Sequence, residues 1–250
     1  MDTFHPFNIP WIINCFKELR KSSKIRTLYS NPEFPSMLFA TKLELIRDKL
    51  LDLSKNCLGD QITPNLPTID FPLHLKENEL DDIMNHIVYF SVYLFGTTGA
   101  EDFFLLHGIS ATRSARNVFP YIQSREEKAI FLRHLWRGLV FVYIAQGMPQ
   151  PHCISESFNY EIYNLAKERN ECPWGKLAER CFSSHEEHIV KLVFMCKEEE
   201  EYYEQYKDGL PIEFGKEILY LACEKALSRV GLHGEKFNFH GVGFYLLSRL

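Results

Sequence analysis

The chain has 250 residues, 46% of them hydrophobic and 24% charged, a balance that supports a folded core and excludes wholesale disorder. A formal net charge of −5 lacks the basic footprint that nucleic acid demands. Aromatic residues reach 14%, with 20 Phe and 12 Tyr, which points to thick ring packing or to a pocket for a flat, apolar ligand.

From the N-terminus, Met1 to Pro10 show no basic stretch followed by an apolar one, so no secretory signal is visible. Leu43, Ile46, Leu50, Leu53 and Cys57 then recur at spacings of three and four, the stripe of an amphipathic helix. Asn56 to Phe71 carries Gly59, Pro64 and Pro67 and reads as a linker or surface loop. Leu80, Ile83, Met84, Ile87 and Val88 mark the next helix. Pro120 should stop or kink the segment that begins at Glu101. Leu132, Leu135, Trp136, Leu139, Val140 and Tyr143 form a third run, closed by Gly147-Met148-Pro149. Ile189, Leu192, Val193 and Cys196 form a fourth. Phe214, Ile218, Leu221 and Ala222 form a fifth, set apart by Gly209-Leu210-Pro211. Thr98-x-x-Glu101, Ser124-x-x-Glu127 and Ser184-x-x-Glu187 each read as a capping box. No series of alternating strands competes. The expected fold is all-α, an irregular bundle of about seven helices, by this periodicity. The tail from Gly231 has little periodicity and receives no assignment. Glu198 to Glu201 reads as a solvated helix face.

The seven cysteines include no C-x-x-C pair, against a disulfide framework or a zinc ribbon. Cys153, Cys172 and Cys181 read as inert thiols. No apolar stretch reaches the ~20 residues of a membrane span. The expectation is a cytoplasmic protein with neither a membrane nor a nucleic-acid partner.

G-x-G-x-x-G, P-loop, G-x-S-x-G and H-E-x-x-H patterns are all missing, and histidines on helices remain. His107 shares a helical face with Ala111, Ser114, Ala115 and Val118. It is either a buried core histidine bonded to a neighbour or a general base facing a pocket. In His185-Glu186-Glu187-His188, two histidines three apart could share a metal ion, but nothing local completes a ligand set. No metal is expected. Arg133 and Arg137 could hold an anion, or form a structural or solvated face. Tyr203 continues the face of His185 and could line a site or pack.

Three ordered segments then carry a resemblance. Asp102-Phe-Phe-Leu-Leu-His107-Gly-Ile-Ser-Ala, Leu135-Trp-Arg-Gly-Leu-Val-Phe-Val-Tyr-Ile-Ala-Gln-Gly147 running into Met148-Pro149, and His185-Glu-Glu-His-Ile-Val-Lys191 resemble motifs of the questin oxidase-like family. The resemblance covers roughly Thr68 to Ala226. It implies an all-helical oxidoreductase whose founding activity is a Baeyer–Villiger-like, oxygen-dependent opening of an anthraquinone ring. NADPH is associated with that activity, without a recognisable flavin or dinucleotide fold. Carried over by position, it implies His107 and His188 as catalytic residues and Trp136, Gln146, Phe103 and Tyr143 as substrate-binding ones, with His107 and His188 converging near Trp136. A small aromatic molecule is the implied partner, and no flavin or metal is expected. Residues 1–67 read as a shortened N-terminal helical region and linker, and residues 68–250 as the family's helical domain. If a longer N-terminal half is missing, the alternative is a truncated, inactive binding or scaffold protein. A homo-oligomer or a partner would then cover the surface left open.

Overall fold

The computed structural model describes residues 16, 19–54, 76–98, 100–150, 172–184, 186–205, 217–231, 237 and 239. In chain order they form α1 (Ser23–Tyr29), α2 (Phe39–Ser54), α3 (Glu77–Thr97), α4 (Phe103–Val118), α5 (Arg125–Ala145), α6 (Pro173–Ser184), α7 (Glu187–Gln205) and α8 (Glu217–Ala226). Short 3₁₀ turns lie at Phe34–Ser36 and Phe119–Tyr121, and a π-turn, Leu227–Gly231, prolongs α8. Among the described residues there is no strand, so the expected all-α bundle is what forms. No described helix is long and apolar enough to cross a membrane.

The bundle is organised around α3. Every residue from Ile87 to Thr97 is buried. A helix that is apolar all round can only be stable with neighbours on all sides, and α3 packs against α4, α5 and α8. Burying one large apolar side chain is worth roughly 1.5–3 kcal/mol, so this helix carries a large share of the cohesion. On the other flanks α7 packs against α8, α6 and α4, and α2 packs against α5 and α1.

The helix ends follow local chemistry, with two departures from the predicted boxes. Ser124 does cap α5, its Oγ accepting from the Glu127 N–H at 3.3 Å. Thr98, however, closes α3 rather than opening α4. Its hydroxyl donates to the Leu94 carbonyl at 2.6 Å, a back-bond that competes with capping. Asp102 takes the cap of α4 instead. Ser184 likewise belongs to the end of α6, where its hydroxyl donates to the Cys181 carbonyl at 2.7 Å. Glu186 precedes α7, and its carboxylate accepts from the His188 N–H at 3.2 Å. Pro120 ends α4 at Val118 as expected. Gly147 turns the chain off α5 at φ 85°, a conformation glycine adopts without steric cost. The predicted linker Asn56–Phe71 and the break at Gly209-Leu210-Pro211 lie outside the described residues.

The acidic run corrects another expectation. Glu199 is 0% exposed. Its carboxylate is bonded by both guanidinium nitrogens of Arg116 and lies 3.3 Å from Arg113 Nε. Glu198 pairs with Arg113, and Glu200 accepts from the Trp174 indole N–H. Only Glu201 matches a solvated face, paired with exposed Lys197 at 2.9 Å. Burial raises the Glu199 carboxyl above its ordinary range while the two arginines pull it back. The run thus ties α7 to α4. Tyr203 packs, its hydroxyl donating to the Asn85 carbonyl on α3 at 3.1 Å. Burial pushes the Cys181 thiol up to about 11, which agrees with an inert thiol.

Candidate functional site

Two helix starts build the site. At α4, Asp102 Oδ1 accepts from the N–H groups of Phe104 at 3.0 Å and Leu105 at 2.9 Å. A cap of this kind is worth about 1 kcal/mol and fixes the first turn. Phe103 stands on that turn and His107 one turn further. The buried stripe of α4 is Leu105, Leu106, Ile109 and Thr112. Gly108 lets α5 approach, since a Cβ there would lie 3.2 Å from Leu139 Cδ1. His107 is therefore on a flank, half-buried, and not sealed in the core. Ala111 and Ser114 on its face are exposed, and Val118 is 54% exposed. The small, buried face expected around it is absent because α4 turns its other side to α3 and α5.

At α7, the first turn presents His188 beside Glu186. The two imidazole centroids lie 5.6 Å apart at 56°. Phe103 joins them, 4.2 Å from His107 and 5.2 Å from His188. Their hydrogen bonds place a proton on each Nδ1. His107 Nδ1 lies 2.8 Å from the Phe103 carbonyl, which can only accept, so Nδ1 carries the proton. His188 Nδ1 lies 2.7 Å from Glu186 Oε1, where a carboxylate again requires an N–H donor. Neither Nε2 has a hydrogen-bond partner among the described residues. The two rings are thus neighbours, each held at Nδ1 by an acceptor and each with its Nε2 left for another partner. Such nitrogens can take a proton or coordinate a Lewis acid, and metal-binding histidines have this same support behind them. Among the described residues, however, no group of three or more metal-ligating side chains occurs, so His107 and His188 could supply two ligands. The arginines on α4, Arg113 and Arg116, are engaged by Glu198 and Glu199, and Asp102 caps the helix start. Neither feature offers a cradle for the phosphates of NADPH.

Residues 12–196 match the questin oxidase-like family, about three quarters of the chain. The chain belongs to that family. No curated protein and no solved structure matches it. The match begins far ahead of Thr68 and ends at Cys196. The match therefore takes in most of residues 1–67 as well as the segments that carry the resemblance. The family name points to an oxidoreductase.

The questin oxidase-like positions named from sequence divide into two groups. His107, His188 and Phe103 come together. Trp136 and Tyr143 lie with Phe16 and Phe90 in a core cluster. Phe16 meets Trp136 edge-on at 5.7 Å and Tyr143 at 4.1 Å, and Phe90 lies 6.1 Å from Trp136. Neither imidazole has a ring contact with Trp136 among the described residues. The histidines converge on Phe103. Burial raises the Tyr143 hydroxyl above its ordinary range, with Arg20 opposing. Gln146 follows α5 fully buried, and its side-chain amide has no hydrogen-bond partner among the described residues. His185 and Cys153 lie outside the described residues.

Three members of the site were not named from sequence. Glu186 stood beside His188 in plain view, and a carboxylate two residues before a helical histidine was the available signal. Phe237 and Phe239 come from the unassigned tail. Phe237 meets His188 edge-on at 5.9 Å, and Phe239 lies 4.3 Å from Phe103. No periodicity announces isolated rings in such a segment.

Proposed function

We propose that this questin oxidase-like protein is an oxygen-dependent oxidoreductase that opens a ring of a flat, aromatic, polyketide-like substrate in a Baeyer–Villiger-like reaction. The observation that carries the reading is the pair of neighbouring half-buried imidazoles, each held at Nδ1 and bordered by phenylalanine rings. In the balanced reaction one atom of O₂ enters a ring carbon–carbon bond and the other leaves as water. A diffusible hydride donor of the NADPH type supplies the two electrons. The chain's own contribution is proton handling and exclusion of water. His188 Nε2 accepts the proton of a substrate phenol, and the resulting phenolate is electron-rich enough to react with oxygen. Glu186 holds Nδ1–H and stabilises the imidazolium that forms. His107 receives or returns a second proton, and Phe103 gives the substrate ring a surface to stack on.

Oxygen consumption by the purified protein with a panel of hydroxyanthraquinones and NADPH tests this. Turnover that is lost in His107→Ala and His188→Ala is expected. Folded protein without turnover on any member of the panel favours the alternative, a non-catalytic helical binding protein. The acceptors behind each Nδ1 favour a second reading, a metal-dependent oxygenase in which His107 and His188 are two of the ligands. A stoichiometric divalent metal in the wild type, lost in the double variant, would establish it. Metal-free protein with full activity would eliminate it.

A further inference from the structure

We propose that Phe237 and Phe239 set the substrate specificity of the His107–His188 site, an inference that rests on the reading that the substrate reacts there. Both residues lie beyond α8 and beyond the family match, which ends at Cys196. Both rings nevertheless border Phe103, the ring that touches the two imidazoles. Phe237 lies 6.4 Å from it and Phe239 4.3 Å. Phe239 also meets Phe104 edge-on at 6.4 Å.

Their burial separates their tasks. Phe237 is 5% exposed, with its ring edge-on to His188. A ring so enclosed cannot yield without leaving a cavity, so it is a fixed side wall that limits substrate width beside His188. Phe239 is 51% exposed. Its open face is apolar surface in water, and a flat apolar molecule covering it gains in proportion to the area covered. Phe239 therefore adds stacking area at the outer edge of Phe103. Segments outside a shared family core are where relatives diverge in substrate while keeping a reaction.

The test has one arm that needs no substrate. The full-length protein is treated with diethyl pyrocarbonate, which carbethoxylates accessible imidazole nitrogens, and each histidine is followed by peptide mass spectrometry. Phe237→Ala should raise the rate at His188 several-fold while His86, half-buried on α3, keeps its rate. Unchanged reactivity at His188 overturns the proposal. Should His86 rise in parallel, the variant has loosened the fold. Phe237→Leu then decides, because it keeps an apolar side chain without the ring's breadth. No rise at His188 in that variant is equally fatal. The second arm uses hydroxyanthraquinones with and without a bulky ring substituent. Phe237→Ala should gain turnover on the substituted compounds, and Phe239→Ala should raise KM several-fold at constant kcat. Identical selectivity in wild type and both variants overturns the assignment. If the His188 reactivity shifts as expected but no protein turns over any substrate, the wall stands and the oxidase reading falls.

Discussion

Two aromatic clusters lie in one bundle and differ in kind. Phe16, Phe90, Trp136 and Tyr143 meet ring against ring in the core, Trp136 at 0% exposure. Phe103, His107, His188 and Phe239 are no less closely spaced, yet each keeps part of its surface in water. In the first cluster the rings serve packing, where a full set of neighbours maximises burial. In the second, each imidazole spends one nitrogen on an acceptor and keeps the other without a hydrogen-bond partner among the described residues. That arrangement stabilises little and is chemically available. The contrast separates residues that build the molecule from residues that can act on another molecule.

The sharpest way to break that contrast is Trp136→Ala. Removing a fully buried indole should cost about 4 kcal/mol through lost transfer energy and a residual cavity, read as a large fall in Tm. A loss below about 1 kcal/mol would mean that the first cluster is not a packing core. Arg116→Ala comes next. It leaves Glu199 buried with weaker compensation, and a loss of about 3 kcal/mol is expected in chemical denaturation. Arg116→Ala with Glu199→Leu should recover part of it, because a hydrophobic replacement of a buried pair is often tolerated. Recovery of nothing would mean that the arginine acts by packing over Tyr202, 3.8 Å from its guanidinium, more than by charge.

On the site itself, Glu186→Gln keeps an acceptor for His188 Nδ1–H but removes the charge behind it. Turnover should fall roughly 10–100-fold with Tm nearly unchanged. An unaltered rate would show that Glu186 only begins the helix. Lys225 offers a pH-dependent check on the core. Burial, helped by Arg229 and opposed by Glu101, lowers its ammonium to about 8 from the ordinary 10.5. Its Nζ donates to the Gly96 carbonyl at 3.0 Å. Between those two values the unfolded chain holds a proton that the folded chain has released, so this group makes stability rise with pH. The rise is complete near pH 10.5 and missing below pH 8. Lys225→Met should remove it, a difference of about 1 kcal/mol once partial exposure is discounted. Parallel curves for the two proteins would contradict the assignment. A small stability effect is also expected of His107→Ala, below about 1 kcal/mol despite its loss of turnover. A core-sized loss there would erase the distinction between the clusters.

The helices were legible in the sequence wherever a single stripe repeated. The stops at Pro120 and Gly147 were equally plain, because φ restriction and the missing Cβ act within a residue or two. Capping was read less well at Thr98 and Ser184. A hydroxyl can bond back to the preceding turn as readily as forward to the next, and only the path of the chain decides. The acidic run was misread for a related reason. Four glutamates on a helix look solvated until another helix brings arginines to them, and Arg113 and Arg116 lie on α4, far off in sequence.

By itself, then, the sequence determined the all-helical class, the stripe that opens α3, the family, and the two histidines worth watching. These depend on local periodicity and on motifs that survive in one dimension. The tertiary structure decided that His107 and His188 meet at Phe103, while Trp136 and Tyr143 turn to Phe16. It also decided that Glu186 holds His188 at Nδ1 and that Phe237 and Phe239 return from the far end of the chain to the same place. Those outcomes depend on which faces of α4, α5 and α7 are turned toward one another. That choice is made by the burial of the whole bundle, and no single segment encodes it.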